Sequence, residues 1–182
     1  MRVIAGTARH RVLVTPRGRN TRPTSDKIKE TLFNIIRPYL YGVRFLDLFA
    51  GSGGIGIEAL SEGASFCAFC DNDAESIKCI EKNLETTGFT EDALVFRNNA
   101  SSALRSMEKL EPFDIVFMDP PYGKDLEKGV LEYLAESSLI TEDTLIIVEA
   151  PADLNFDYAE NFGYNITKEK IYKNNKHVFL ER

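Results

Sequence analysis

The heptapeptide Met118-Asp-Pro-Pro-Tyr-Gly-Lys124 places a carboxylate and an aromatic ring on either side of two consecutive prolines, directly after the strand-type run Phe113-Asp-Ile-Val-Phe-Met. Proline donates no ladder hydrogen bond and fixes its own φ, so the pair ends any strand. A turn needs neither the acid nor the ring. An exocyclic amine on a nucleobase is a poor nucleophile, because its lone pair is delocalised into the ring. Acceptors that grip both of its N–H bonds pull it toward tetrahedral geometry, and the Asp119 carboxylate with the backbone carbonyl of Pro120 makes such a pair. Pro120 and Pro121 hold that carbonyl rigid, and Tyr122 offers a flat face on which an extruded base can stack. In-line attack of the amine then depends mostly on positioning, which contributes up to roughly 7–11 kcal/mol in well-aligned systems. The bland alternative is a strand-ending turn with an incidental Asp and Tyr.

A second constellation lies upstream. Asp47-Leu-Phe-Ala-Gly51-Ser-Gly53-Gly-Ile-Gly56 is a GxGxxG between a strand-like and a helix-like segment, where glycines permit a tight turn and close approach of a ligand to the backbone. The next strand-like run ends in Asp71, twenty residues after Gly51, placed to accept hydrogen bonds from a ribose diol. The structural alternative makes the glycines mere space-savers and Asp71 a helix N-cap within "CDNDAES". A dinucleotide needs its pyrophosphate at the turn, and the carboxylate of Asp47 just before it would repel that group. Asp47 instead suits a ligand with a cationic end, such as S-adenosylmethionine.

The elements that must position these residues are legible as alternation. "VRFLDLFA", "SFCAFCD", "ALVFR", "FDIVFMD" and "TLIIVEA" read as strands, and "GIGIEALSEG", "AESIKCIEKNLETTG", "SSALRSMEKLE" and "LEKGVLEYLAESSL" as the helices between them. This predicts βαβ units, hence an α/β fold with a mostly parallel sheet and helices on both faces. The last segment departs from the pattern: Ile166 to Tyr172 and His177 to Glu181, joined by Lys173-Asn-Asn, predict a terminal antiparallel hairpin. Ahead of the first strand, Ile28, Leu32, Ile35 and Ile36 share a helical face, with Thr24 or Ser25 as N-cap, Asp26 in the first turn and Pro38 as terminator. Ligands of open parallel sheets bind outside the carboxyl ends of the strands, so Asp119 is expected to face the same crevice as Gly51 to Gly53.

At 182 residues one domain is expected, with residues 1–43 as a basic segment and helix and residues 44–182 as the core. No apolar run approaches the roughly 18–20 residues of a membrane span. The N-terminus lacks a signal-like apolar stretch, so a cytoplasmic protein with no membrane partner is expected. Cys67 and Cys70 form a CxxC, but a spacing of three on a strand puts them on opposite faces, and no second pair completes a metal site. They read as packing thiols, and no metal is expected. The net charge is −6, yet residues 1–45 carry ten Lys and Arg against two acids, a balance of +8. Arginine forks onto phosphate, and "ARHRVLVTPRGRNTRPT" sets it among Gly, Pro and Thr, so nucleic-acid contact is expected from Arg9, Arg11, Arg17 and Arg19, joined by Lys124.

"MRVIAGTARHRVL", "NTRPTSDKIKETLFNII", "FLDLFAGSGGIGIEALSEGA" and "FDIVFMDPPYGK" together resemble the RsmD family of bacterial small-subunit ribosomal RNA guanine-N2 methyltransferases. The resemblance runs from Met1 to about Lys124 and more loosely to the end. It implies the Rossmann-like, seven-stranded class I fold and S-adenosylmethionine as cofactor. It implies methylation of a guanine in 16S rRNA of the small ribosomal subunit or its assembly intermediate, with Asp119, Pro120, Pro121 and Tyr122 as the catalytic motif. Cofactor contacts carry over to Arg22, Thr24, Asp47, Phe49, Gly51, Ser52, Gly53, Asp71 and Asn72, and to Asn99 and Ala100 after the third strand. Two positions depart from the family: Asp71 stands where Glu is usual, and Asn99 where an acid usually contacts the adenine amine. The other readings are an adenine-N6 DNA methyltransferase, since the Asp-Pro-Pro-Tyr motif alone does not name the base, and a non-catalytic RNA-binding module on the same fold.

Overall fold

The structure is a computed structural model and describes residues 1–16 and 26–182. Seven strands form one sheet: β1 (Arg44–Leu48), β2 (Phe66–Asp71), β3 (Ala93–Arg97), β4 (Ile115–Met118), β5 (Leu145–Pro151), β6 (Asn165–Ile171) and β7 (Asn175–Glu181). Their order is β3-β2-β1-β4-β5-β7-β6, with β1 to β5 parallel and β7 antiparallel to both β5 and β6. The mostly parallel sheet with an antiparallel C-terminal hairpin is as expected from the alternation. From β1 the chain winds outward through β2 to β3, then returns to β4 and winds the other way, so the strand order reverses between β1 and β4. That reversal opens a crevice above the carboxyl ends of the two strands.

Five helices cover the sheet: α1 (Asp26–Ile36), α2 (Gly54–Ser61), α3 (Ala74–Thr87), α4 (Ala100–Met107) and α5 (Leu126–Ala135). The period-2 alternation of the strands sorts the core into two layers. Leu46, Leu48, Cys70, Val116 and Met118 pack with α4 and α5 on one face. Phe45, Cys67, Phe69, Ile115 and Phe117 pack with α1, α2 and α3 on the other. Cys67 and Cys70 therefore fall in opposite layers, as their spacing requires, and burial pushes both thiols above their ordinary pKa. No described helix is long and apolar enough to cross a membrane.

The basic segment is more built than its composition implies. Residues 1–13 fold back on themselves through Val3 N–H to Arg11 O (2.9 Å) and Leu13 N–H to Met1 O (3.0 Å), burying Val3, Ala8 and Leu13. The loop is clamped to α2. The Glu58 carboxylate accepts from Ile4 N–H at 2.9 Å and Ala5 N–H at 2.8 Å, and Ser61 Oγ accepts from Ala8 N–H at 2.9 Å. Gly6 has φ +75°, and a Cβ there would lie 1.7 Å from the Ser61 carbonyl oxygen, so any other residue would break the clamp. Beneath it, Lys29 Nζ reaches Glu58 at 2.7 Å and donates to Arg2 O at 2.7 Å, with Lys29 and Glu58 both fully buried. The N-cap expected at Thr24 or Ser25 lies outside the described residues.

Candidate active site

A cleft of about 1140 Å³ opens at the strand-order reversal, bounded by the glycine turn, the loop after β4 and the N-terminal segment. Small-molecule pockets typically run ~300–1,000 Å³, so this cleft lies at or above the upper end of the range for a single small ligand. The carboxyl ends of the strands supply its floor. Leu48 pairs with both Cys70 and Met118, and Met118 pairs with Val148. One residue further on, Asp71, Phe49, Asp119 and Glu149 therefore lie side by side across four strands, and Glu149 is in register with His177 of β7. A row of acids across neighbouring strand ends is a tertiary product that no linear motif displays.

The glycine turn is held from below and from the side. Gly53 N–H donates to Ala50 O at 2.8 Å, and Gly51 and Gly53 both have positive φ, the conformation glycine adopts without steric cost. Phe49 is also at positive φ (65°), an uncommon conformation for an aromatic residue and a site of local backbone strain at the cleft wall. Asn83 of α3, almost fully buried, donates to Ser52 O and Val14 O (2.9 Å each) and accepts from Val14 N–H at 2.8 Å. One amide thus locks the turn to the N-terminal segment. Gly51 and Ser52 line the cleft, whereas Gly53 does not: its Cβ position faces Phe69 and Ile80 at 3.3 Å, so it serves the turn and its packing. The expected ligand contact at Gly53 therefore rests on its backbone alone.

Asp71 is not the N-cap of α3. Asp73 fills that place, accepting from Ser76 N–H at 3.0 Å, while Asp71 accepts from Gly51 N–H (2.9 Å) and Asp73 N–H (2.8 Å), one on each carboxylate oxygen. Asp71 lines the cleft, and each of its oxygens keeps acceptor capacity beyond the bond that orients it. Asn72 lines the wall beside it. Asn99 and Ala100 line the cleft at the start of α4, where Asn99 Oδ1 accepts from Ser102 N–H at 2.9 Å and so caps the helix. Asn99 thus has a structural duty that the resemblance does not imply. Arg22 and Thr24 lie outside the described residues, as do Arg17 and Arg19.

Asp47 is almost fully sequestered, touches the cleft, and accepts from Gly56 N–H at 2.9 Å. Burial, helped by the charge of Asp71 and opposed by the Gly56 hydrogen bond, pushes its carboxyl up to about 7. Asp119, Pro120, Pro121, Tyr122 and Lys124 all reach the same cleft, and the Tyr122 ring is about half exposed. Asp119 is held well above the ordinary carboxylate range, first by burial, then by the charges of Glu149 and Asp47. Asp47 and Asp119 thus hold their protons more tightly than free carboxylates, and a cation placed beside them would favour their ionised forms. Arg9 and Arg11 are exposed on the docked N-terminal loop, outside the cleft lining.

Glu149 is the principal cleft residue that sequence reasoning missed. It is nearly buried, lines the cleft, and accepts from Asn175 Nδ2 at 2.6 Å while lying 3.1 Å from His177 Nε2. Its signal was weak: an acid that follows the apolar run Leu145 to Val148 inside β5, with no glycine turn or Pro-Pro break directly beside it. Lys29 and Met1 also line the cleft, so the N-terminal segment supplies one wall.

Residues 1–181 match the family described as "Conserved hypothetical protein 95". The Bacillus subtilis protein YlbH is 43% identical over 183 residues, covering 95% of this chain and 98% of its own. The protein named ribosomal RNA small subunit methyltransferase D of Haemophilus influenzae is 36% identical over 171 residues, covering 93% of this chain and 88% of its own. Among solved structures, the Escherichia coli protein yhhF aligns with a TM-score of 0.85 at 32% identity, over 100% of this chain and 97% of that one. With its sheet order, its cleft and these relatives in agreement, the chain belongs to the RsmD family and has the Rossmann-like methyltransferase fold.

Proposed function

We propose that this protein transfers a methyl group from S-adenosylmethionine to the N2 amine of a guanine in 16S rRNA of the small ribosomal subunit. The observation that carries the reading is the shared cleft, in which the glycine turn, Asp47 and Asp71 meet Asp119 and Tyr122. The relatives named ribosomal RNA small subunit methyltransferase D support the substrate class.

The residues present fit the cofactor. Asp71, with both oxygens oriented by backbone donors, would accept from the ribose hydroxyls, and Asn99 and Ala100 would border the adenine. Asp47 would face the cationic end. Bound there, S-adenosylmethionine supplies an electrophilic methyl group on a sulfonium. The chain does the rest: Asp119 and the Pro120 carbonyl grip the two amine hydrogens, Tyr122 stacks the base, and Asp119 accepts the proton the amine must lose. Calorimetry tests the assignment: S-adenosylmethionine should bind the wild type and bind Asp71→Ala at least several-fold more weakly. Preferential binding of NAD would overturn it.

Proton linkage follows from the raised carboxyl of Asp47. A folded-state acid pKa raised to about 7 means the native protein holds a proton there that the unfolded chain has already lost, so this group reduces stability as pH rises from about 4 to 7. A cationic ligand favours the ionised form and expels that proton. S-adenosylmethionine affinity is therefore expected to rise between pH 6 and 8, by at most roughly tenfold per unit, and to level off above. Calorimetry at several pH values, with Asp47→Asn as the flattened control, checks this.

Residues 1–43 are the proposed RNA-contacting part. If Arg9 and Arg11 meet phosphates, replacing both with alanine should reduce the log–log salt slope of RNA binding by about 0.7–0.9 per contact. Cofactor affinity should hardly move. An unchanged slope would make them ordinary surface charges.

A further inference from the structure

We infer that Glu149 reads the N1–H of the target guanine and thereby selects guanine over adenine, an inference that rests on the guanine-N2 reading above. Guanine presents two adjacent donors on its Watson–Crick edge, N1–H and the exocyclic amine. Adenine presents an acceptor at N1 beside its amine. A single carboxylate gripping the amine cannot tell the two apart. A second carboxylate beside it accepts from guanine N1–H and is repelled by the N1 lone pair of adenine.

Glu149 meets that description. It stands one strand over from Asp119 at the same level of the sheet, since the preceding residues Met118 and Val148 are paired. It lines the main cleft and also a side pocket of about 60 Å³ walled by Pro120, Tyr122 and Leu154, so it borders the space next to the stacking ring. Its orientation is set. Asn175 Nδ2 donates to Oε1 at 2.6 Å, and Oε2 is 3.1 Å from Nε2 of the fully buried His177, whose Nδ1 is 3.2 Å from the Tyr172 hydroxyl. Each carboxylate oxygen keeps a lone pair for a further donor. A buried acid oriented by two partners and lining the cleft is how a site built to receive a donor rejects the analogue lacking it.

The test compares small-subunit particles carrying guanine or 2-aminopurine at the methylated position. 2-Aminopurine keeps the 2-amine but presents an acceptor at N1. The wild type is expected to favour guanine by roughly 10- to 100-fold in kcat/KM, the scale of one hydrogen bond to a buried charge. Glu149→Gln, whose amide can donate to that acceptor while its oxygen still accepts from Asn175, should bring the ratio to within a few-fold. The O6 that 2-aminopurine also lacks is missing for both proteins, so the change in ratio isolates position 149. Cofactor affinity of the variant, read by calorimetry, should stay within a few-fold. An unchanged ratio in the variant overturns the inference, and so does a wild type that treats both bases alike, a result needing no variant to fold. If the wild type forms no N2-methylguanosine, the proposed function falls and the inference with it. If N2-methylguanosine forms but the ratios match, only the role of Glu149 falls.

Discussion

Asp119→Ala is expected to slow methyl transfer by roughly 100-fold or more while leaving S-adenosylmethionine affinity within a few-fold, because the lost group acts on the amine and not on the cofactor. Single-turnover rates with small-subunit particles, set beside calorimetry, separate the two effects. Turnover near the wild-type level would reduce Asp119 to a turn residue. The same substitution has a second signature. Burial beside Glu149 and Asp47 raises the folded-state carboxyl well above its ordinary value, so the native protein pays an ionisation cost that grows as pH rises from the unfolded-state pKa toward the folded one. Thermal melts should therefore show the variant gaining on the wild type more at pH 8 than at pH 5. A functional carboxylate held at the expense of stability behaves in this way.

Glu58→Ala is expected to destabilise the fold by about 3–5 kcal/mol, the range for removing one partner of a buried ion pair. Lys29 would keep its charge in a fully buried position, with the Arg2 carbonyl as its remaining partner among the described residues, and the N–H groups of Ile4 and Ala5 would lose their acceptor. Urea denaturation should show the extrapolated unfolding free energy fall by that amount, with a lower midpoint and an unchanged slope. Because the N-terminal loop forms one wall of the cleft, proteolysis within residues 1–16 should also accelerate in the variant. A loss of unfolding free energy under about 1 kcal/mol would mean that the clamp holds by apolar packing alone.

The parts of this molecule that were legible in the sequence are those written in local periodicity. Apolar runs alternating with amphipathic ones give the parallel sheet and its helices, Lys173-Asn-Asn marks the terminal hairpin, and the spacing of Cys67 and Cys70 places them in opposite layers. Asp47, Asp71 and Asp119 could be found because each sits beside a turn with its own signature. Glu149 carries no such punctuation. Its importance comes from lateral register with Asp119 and His177, and register between strands about thirty residues apart is decided by tertiary packing. Glu58 illustrates the same limit. Within "GIGIEALSEG" an acid reads as solvent-facing, yet it is fully buried, because Lys29 and the folded-back N-terminus meet it from distant parts of the chain. The stretch "CDNDAES" offers more than one possible cap, and only the hydrogen bonds assign Asp73 to the helix and leave Asp71 to the cleft.

Nucleoside mass spectrometry of 16S rRNA from cells with and without this protein tests the proposed methylation of guanine N2 most directly. One N2-methylguanosine per 16S molecule is expected to disappear when the protein is absent, to return with the wild-type chain and not to return with Asp119→Ala. An unchanged content of N2-methylguanosine, or the loss of N6-methyladenosine in its place, would contradict it.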